Sequence, residues 1–242
     1  DQLEERYGVT ILLSAQAKDA CDAVWDATIT TTDQWPLEDE PHAIARMLEA
    51  LDRTLALYPE GFFRQMKNSM GEGGVRFMPV GHIENAVNAI GLTYETYGWQ
   101  NIYIDVTIDA FEGTICHEIW HAIEGVLLTR NWDAINQEEW AACNPAGFSY
   151  NEDAETPDSN PERWTFFYEF SAQDVYFVDA YSRTNAKEDR ARIMEYIMAT
   201  EDVAGALVQS PAIAQKLQIM CRAIRENFDT SSWGELRWER VL

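Results

Sequence analysis

The feature that most constrains the fold is a strand pattern that runs, without a linker, straight into a helix pattern. Apolar residues alternate with polar ones over residues 101–108, and this period of two predicts a half-buried β-strand. Asp109-Ala110-Phe111-Glu112 follows directly and matches an Asp variant of the capping box, so we expect a helix to begin here and to run to about Leu128. The junction therefore predicts one continuous strand–helix unit.

The other patterns place strands early in the chain and helices late. The predicted strands cover residues 8–14, 75–80, 89–94 and 101–108, and the predicted helices cover residues 36–58, 109–128, 164–180, 185–199 and 211–228. Residues 144–163 are rich in Asn, Pro, Gly, Ser and acidic residues, which indicates a surface loop, with a calcium site as the alternative. This order of elements predicts an α+β fold.

Two of the four histidines lie in His117-Glu118-Ile119-Trp120-His121, on the predicted helix. Residues i and i+4 of a helix differ by roughly 40° around its axis, so both imidazoles project from one face and can bind a single ion. Zinc accepts such nitrogens, and a catalytic zinc site keeps one position for water. Glu118 is the expected general base for that water. The motif predicts a zinc site that needs a third protein ligand.

A chance H-E-x-x-H on a buried helix is the alternative interpretation of this motif. The surrounding residues favour a site, because apolar positions that face the core are separate from a polar stripe. The apolar positions are Ile115, Ile119, Ala122, Ile123, Val126 and Leu127, and the stripe consists of Gly113, His117, His121 and Glu124. Burying the stripe without partners would cost on the order of several kcal/mol, which a metal and its ligand network would offset.

The third ligand is expected to be an acidic residue downstream of the motif. A metzincin continuation would need Gly at position 124 and His at position 127, where this chain has Glu124 and Leu127. The two remaining histidines, His42 and His82, both lie upstream. A downstream carboxylate therefore remains as the candidate.

Glu188 is the downstream acid that we favour, at the start of the helix predicted for residues 185–199. Ala191 lies one turn beyond it, and a small side chain there permits a close helix approach. Asn185 as N-cap with Glu188 at the third helical position is also a capping box, which gives this glutamate an alternative structural role. Asp189 is a second candidate ligand. The residues alone leave these alternatives open.

Both motifs together resemble the catalytic domain of anthrax lethal factor and related zinc-binding peptidases of Gram-positive bacteria. The H-E-x-x-H motif is shared by many peptidases, but its pairing with a downstream Tyr-x6-Glu-x-x-Ala, here Tyr181, Glu188 and Ala191, is more specific. The similarity covers roughly residues 101–198. These peptidases are gluzincins.

The resemblance implies a zincin-like fold with an N-terminal twisted sheet packed on the metal-binding helix, a helical C-terminal lobe and an active-site cleft between the lobes. The lobes would cover residues of about 1–130 and 131–242 of a single metallopeptidase catalytic domain. The implied activity is zinc-dependent endopeptidase hydrolysis of a peptide or protein substrate, with one catalytic Zn²⁺ ion. The resemblance also implies a secreted or lipid-anchored location at the cell surface, any anchor lying upstream of Asp1.

The site residues that the resemblance implies are the zinc ligands His117, His121 and Glu188, the general base Glu118 and the oxyanion-stabilising Tyr181. This chain departs from lethal factor in having Arg192 where that protein has an acid, and in a much longer loop before the tyrosine. Substrate preference therefore does not carry over.

Two further functions remain as alternatives to a peptidase. The first is a non-catalytic zinc-binding or partner-binding module on a lethal-factor-like scaffold, because toxins of this type also contain a related domain that lacks the motif. The second is a structural metal site, which would need a fourth ligand such as Cys116 or Glu124.

Composition limits the partners of the chain. Its 41 acidic and 18 basic residues give a net charge of −23, which repels phosphate backbones and predicts no nucleic-acid partner. No apolar run reaches the roughly 18–20 residues of a membrane-spanning helix, so we expect no transmembrane segment.

The first residue is not Met, which predicts a processed or excised chain. The widely spaced cysteines predict buried thiols with at most one disulfide: Cys21, Cys116, Cys143 and Cys221.

Overall fold

The computed structural model describes residues 2–35, 40–85, 89–150, 160, 162–199 and 201–242. The chain divides into two compact units, Asp1–Arg130 and Asn131–Leu242. The first unit contains a five-stranded mixed sheet with helices, and the regular structure described in the second unit is helical. The predicted combination of early strands and late helices is therefore confirmed as mixed α and β structure.

The first unit is built around its sheet. Its helices are α1 (Gln2–Tyr7), α2 (Lys18–Asp22), α3 (Glu40–Leu55) and α4 (Phe111–Arg130), its 3-10 helices are Ser14–Ala17 and Phe63–Gln65, and its strands are β1 (Thr10–Ile11), β2 (Thr28–Thr31), β3 (Gly74–Glu84), β4 (Gly91–Thr96) and β5 (Trp99–Asp105). The sheet order is β1-β3-β5-β4, and β2 also pairs with β3. The pairs β1–β3 and β3–β5 are parallel, whereas β2–β3 and β4–β5 are antiparallel. This order makes β4 an edge strand of the described sheet.

The strand predicted for residues 101–108 exists as β5, but it is buried on both faces rather than half-buried. Helix α4 packs on one face of β4 and β5. On the other face Tyr103 joins an apolar cluster with residues such as Cys21 and Met78, and its hydroxyl donates to the carbonyl of Ala20 at 2.7 Å. Both faces of β5 are therefore buried, and the predicted exposure of one face was wrong.

Helix α4 begins at Phe111, two residues after the Asp109 that we expected to cap it. The exposed Asp109 pairs with Arg46 at 2.9 Å, and Glu112 pairs with Arg53, both arginines lying on α3. The two acids of the predicted capping box therefore connect α4 to α3. Exposed pairs of this kind contribute at most about 1 kcal/mol, so the position of α4 depends mainly on its apolar contacts.

Two glycines lie where helix α4 contacts the sheet. A Cβ atom on Gly125 would lie 2.8 Å from Gln100 Oε1 on β5. On the strand side, a Cβ atom on Gly91 would lie 2.7 Å from Thr114 Cγ2. Real Cβ contacts are longer than this, so a side chain at either position would displace its neighbour from the observed packing.

The second unit contains α5 (Gln137–Ala142), α6 (Ala186–Ala199), α7 (Glu201–Leu207) and α8 (Pro211–Asn227), with 3-10 helices Ala172–Asp174 and Tyr181–Arg183. Helices α6 and α8 agree with the predictions for residues 185–199 and 211–228. The Ser210 hydroxyl caps α8 by accepting from the Ile213 amide at 3.1 Å. The predicted apolar stripe of α8 is buried, which confirms it as the core-facing side: Ile213, Leu217, Met220, Ile224 and Phe228.

The helix predicted for residues 164–180 is wrong. Trp164 has a φ of 67°, which a right-handed helix cannot contain, and its carbonyl accepts from the amides of Tyr176 at 2.8 Å and Phe177 at 3.1 Å. A β-bridge joins Thr165 to Phe177. The residues predicted to form this helix belong instead to a folded-back segment closed by non-local backbone bonds.

Other sequence-based predictions of elements differ from the structure in extent. The strand predicted for residues 8–14 is only two residues long, the helix predicted for residues 36–58 is described as Glu40–Leu55, and the short β2 was missed. Of the acids proposed as an alternative calcium site, those at positions 152, 153, 155 and 158 lie outside the described residues, whereas Glu162 is described and exposed.

Two predictions from composition can be compared with the structure. All four cysteines are buried free thiols, which confirms the prediction of buried thiols. Among the described helices, none combines the length and the apolar character needed to cross a bilayer.

A buried ion pair connects α6 and α8 in the second unit. Lys216 Nζ donates to Asp189 Oδ2 at 2.7 Å and to the carbonyl of Tyr176 at 2.8 Å, and both charged side chains are fully buried. The Tyr150 hydroxyl donates to the same carboxylate oxygen at 2.7 Å. Desolvation raises the pKa of Asp189 and lowers that of Lys216, while their mutual attraction opposes both shifts. The Tyr176 carbonyl on Lys216 and the Tyr150 hydroxyl on Asp189 add hydrogen bonds that offset part of the cost of desolvation.

Removing one partner of this pair should destabilise the chain more than removing both. We expect Lys216→Met to lower the free energy of unfolding by about 3–5 kcal/mol, because it leaves the Asp189 carboxylate buried without its counter-charge. The double variant Lys216→Met/Asp189→Leu should recover most of this loss. Urea unfolding of the three proteins measures the difference, and an equal loss in the single and double variants would contradict the role of the pair.

Candidate metal centre

Helix α4 brings the two histidines of the H-E-x-x-H motif together. The Nε2 atoms of His117 and His121 are 3.1 Å apart, and their ring planes are inclined by 76° with the centroids 4.8 Å apart. His117 is buried and His121 is half-buried. Both nitrogens thus point to the same place from one face of the helix, as the spacing of four residues predicts.

The distance between the two nitrogens is compatible with a shared ion. Two zinc–nitrogen bonds of about 2.0–2.1 Å at a tetrahedral angle place the nitrogens roughly 3.3–3.4 Å apart. The same 3.1 Å separation of His117 and His121 also suits a single N–H···N hydrogen bond between neutral rings. The interpretation of the pair therefore depends on what else lies beside it.

Glu188 belongs with the two histidines to one candidate metal-binding group. In the part of the chain that the structure describes, the one group of histidine, cysteine, aspartate and glutamate side chains that could hold a metal ion consists of His117, His121 and Glu188. One ligand atom from each residue lies within 4.8 Å of the other two. Two imidazole nitrogens and one carboxylate oxygen form a donor set that zinc accepts in proteins, so these residues fit the ion that the motif predicts.

The first turn of α6 positions Glu188. The side-chain oxygen of Asn185 accepts from the amides of Lys187 at 2.9 Å and Glu188 at 3.0 Å, so the predicted N-cap role of Asn185 is confirmed. This cap uses the backbone amide of Glu188, whereas a carboxylate oxygen of the same residue belongs to the metal-binding group. The Asn185 half of the predicted capping box is therefore present together with the place of Glu188 in the candidate metal-binding group.

Asp189, the second candidate for the third ligand, has a different role. Successive residues of a helix differ by about 100° in direction, so Asp189 projects from another side of α6 than Glu188. Its carboxylate is fully buried and bonded to Lys216 and Tyr150. The structure therefore separates the two neighbouring acids, one in the metal-binding group and one in a buried ion pair.

Glu118 is buried next to the histidines and is held by the edge strand β4. The hydroxyl of Thr93 donates to Glu118 Oε2 at 2.8 Å and lies 2.9 Å from the carbonyl oxygen of the same residue. A Cβ atom on Gly91 would lie 2.8 Å from Glu118 Oε1, so this position leaves no room for a side chain. Thr93 and Gly91 were missed from the sequence, where the available signal was a glycine in a predicted strand, which often marks a close approach.

The candidates for a fourth protein ligand lie outside the metal-binding group. Cys116 is fully buried. Glu124 is also buried and accepts from the indole nitrogen of Trp120 at 3.2 Å. The polar stripe of α4 therefore serves two purposes, since its N-terminal part carries the histidines and Glu124 forms an internal hydrogen bond.

Tyr181 is the first residue of the 3-10 helix Tyr181–Arg183, which packs against α6. The residue is 42% exposed, so it does not belong to the buried core. Arg192, which stands where lethal factor has an acid, pairs with Asp179 and Glu195 within the same unit. The catalytic role of the tyrosine stays a prediction.

Comparisons with known proteins provide no family assignment. No protein-family model, no curated protein and no solved structure matches the chain. The resemblance to gluzincins therefore depends on the motif residues alone.

Loss of a ligand should remove most of the zinc affinity. We expect His121→Ala and Glu188→Ala each to weaken zinc binding by more than about 100-fold, beyond the 10–100-fold that removal of an outer-shell partner causes. His82→Ala is the matched control, because His82 lies outside the group and contacts Asp105 at 3.3 Å. Titration calorimetry with elemental analysis measures the affinity and stoichiometry. Unchanged zinc content in Glu188→Ala would remove this residue from the site.

Proposed function

We propose that this chain is a zinc-dependent endopeptidase of the gluzincin type. The observation that carries the proposal is the grouping of His117, His121 and Glu188, with the buried Glu118 on the same helix as the two histidines. Two imidazoles and a carboxylate form a three-residue donor set, which leaves a coordination position for solvent, as catalytic zinc sites require. A structural site would need a fourth protein ligand, and the described group contains three.

The chemistry divides between the ion and the side chains around it. A zinc ion bound by these three residues would act as a Lewis acid and lower the pKa of water in the site. Glu118 then serves as general base, accepting a proton from the water that attacks the scissile carbonyl and passing it to the leaving amine. Its neighbours on β4 support this role, because the hydrogen bond from Thr93 keeps the carboxylate in one place.

The edge strand β4 offers a surface for an extended peptide. The amide of Asp105 donates to the carbonyl of Ile90 at 3.0 Å, which fixes the alternation of the antiparallel β4–β5 ladder. By this alternation Gly91, Thr93 and Glu95 turn their main-chain groups away from β5. A peptide that extends the sheet at this edge would bond to these groups, with the H-E-x-x-H helix beneath the strand.

Tyr181 is the proposed donor to the oxygen of the scissile carbonyl. A phenol hydroxyl stabilises the negative charge that develops there in the transition state. Its position seven residues before Glu188 and its partial exposure support this role.

The proposal includes the partners and the compartment. The proposed substrate is a peptide or protein, as the resemblance implies, and the net charge of −23 disfavours a nucleic-acid partner. Extracellular or cell-surface location follows from the resemblance to secreted and lipid-anchored peptidases. A chain that binds zinc tightly and cleaves no peptide in a mixed library would instead favour the non-catalytic binding module.

Replacing the general base should separate metal binding from hydrolysis. We expect Glu118→Gln to retain one zinc ion per chain and to lose about 10²–10⁴-fold in kcat, because the amide cannot accept the proton. Peptide-library cleavage with mass spectrometry, together with metal analysis of the same sample, provides both readouts. Full turnover by this variant would refute the assigned base.

Removing the Tyr181 hydroxyl should affect turnover more than substrate binding. For Tyr181→Phe we expect kcat to fall by about 10²-fold with KM nearly unchanged, because the lost hydrogen bond forms only as charge develops on the oxygen. Tyr168→Phe is the control, since Tyr168 is a half-exposed tyrosine of the same unit. If Tyr181→Phe has the kcat and KM of the wild type, Tyr181 is not the donor to the oxyanion.

A further inference from the structure

Thr93 makes a contact with Glu118 that the H-E-x-x-H motif does not require. Its hydroxyl lies 2.8 Å from Glu118 Oε2 and 2.9 Å from the Glu118 carbonyl oxygen, so one hydroxyl spans the carboxylate and the backbone of the same residue. A carboxylate bridged to its own backbone in this way has lost much of the freedom of its side-chain torsions. The contact joins residues 25 positions apart in sequence and exists because β4 packs on α4.

Gly91 limits the carboxylate from a second direction. A Cβ atom at this position would lie 2.8 Å from Oε1 and 2.9 Å from Cγ of Glu118, so the side chain lies directly against the backbone of β4. Gly91 and Thr93 are two residues apart in a strand, and their side-chain positions therefore face the same side of the sheet. Together they confine the Glu118 carboxylate: the Thr93 hydroxyl donates to one of its oxygens, and the backbone of Gly91 lies beside the other.

The side chain and the main-chain groups of Thr93 face in different directions. The side chain of Thr93 points to α4, whereas the ladder alternation turns its main-chain N–H and C=O toward the edge of the sheet. A peptide that pairs with this edge would thus contact the backbone of the residue whose side chain holds Glu118. Gly91 and Thr93 therefore fix the position of the Glu118 carboxylate relative to the proposed peptide-binding edge.

We propose that Thr93 is a positioning residue for Glu118, and that its hydroxyl together with the space at Gly91 fixes the carboxylate for proton transfer. The inference rests on the proposed peptidase function for its catalytic consequence. The contact itself is a property of the first unit and is independent of substrate. A serine keeps the hydroxyl at this position, whereas a valine keeps the shape and removes the donor.

Kinetics of three variants test the catalytic consequence. We expect Thr93→Val to lower kcat by about 10–100-fold, the range seen for lost outer-shell partners, with KM within about twofold and full zinc content. Thr93→Ser should retain kcat within about threefold. Thr96→Val is the matched control, because Thr96 lies on the same strand with its hydroxyl on Asn101, and its kcat should equal that of wild type. Wild-type kcat in Thr93→Val, or equal losses in the serine and valine variants, would overturn the inference.

A double-mutant cycle on thermal unfolding tests the positioning without any activity. In the zinc-free full chain, we expect Thr93→Val to lower the unfolding midpoint by several degrees when Glu118 is present, and by less in a Glu118→Ala background, since the carboxylate contact is then absent already. Equal shifts in both backgrounds would overturn the inference. If the wild-type chain hydrolyses no peptide, the proposed function fails, and this cycle still decides whether Thr93 holds the carboxylate.

Discussion

The close contact between α4 and strands β4 and β5 is the constraint on which the candidate site depends. Two glycines make it possible, Gly91 on the strand and Gly125 on the helix, since a methyl group at either position would collide with the facing side chain. The contact buries the apolar positions of α4 against the sheet and the α3 helix, and this fixes the direction in which His117 and His121 project. The same contact brings Thr93 to Glu118. One packed interface thus positions the two histidines and Glu118.

Adjacent acids on α6 show how a fold assigns different chemistry to similar residues. Glu188 belongs to the candidate metal-binding group, whereas Asp189 is buried with Lys216 and Tyr150. A carboxylate removed from water requires a counter-charge or donors, and Asp189 Oδ2 accepts from the Lys216 ammonium and the Tyr150 hydroxyl. The buried pair also connects α6 to α8 through residues 27 positions apart, so it fixes the helix whose first turn presents Glu188. Stability of the second unit and the geometry of the candidate ligand therefore have a common basis.

The sequence predicted those parts of this arrangement that local patterns determine. The helix carrying the motif, the helix capped by Asn185 and the apolar stripe of α8 were found because spacing and caps act within a few residues. The helix expected at residues 164–180 was wrong because Trp164 adopts a left-handed backbone and bonds to Tyr176 and Phe177, partners that lie twelve or more residues on. The choice between Glu188 and Asp189 needed a resemblance, since it depends on where Lys216 lies in space. Thr93 was missed because its contact with Glu118 also depends on the three-dimensional packing, which brings together residues 25 positions apart.

The most direct measurement of the central claim is zinc-edge anomalous diffraction from crystals of the zinc-loaded chain. The account predicts one anomalous peak within about 2.0–2.2 Å of an imidazole nitrogen of His117, of His121 and of a carboxylate oxygen of Glu188, with a solvent oxygen as the remaining ligand. A peak elsewhere, a fourth protein ligand in place of solvent, or no bound zinc at saturating concentration would contradict it.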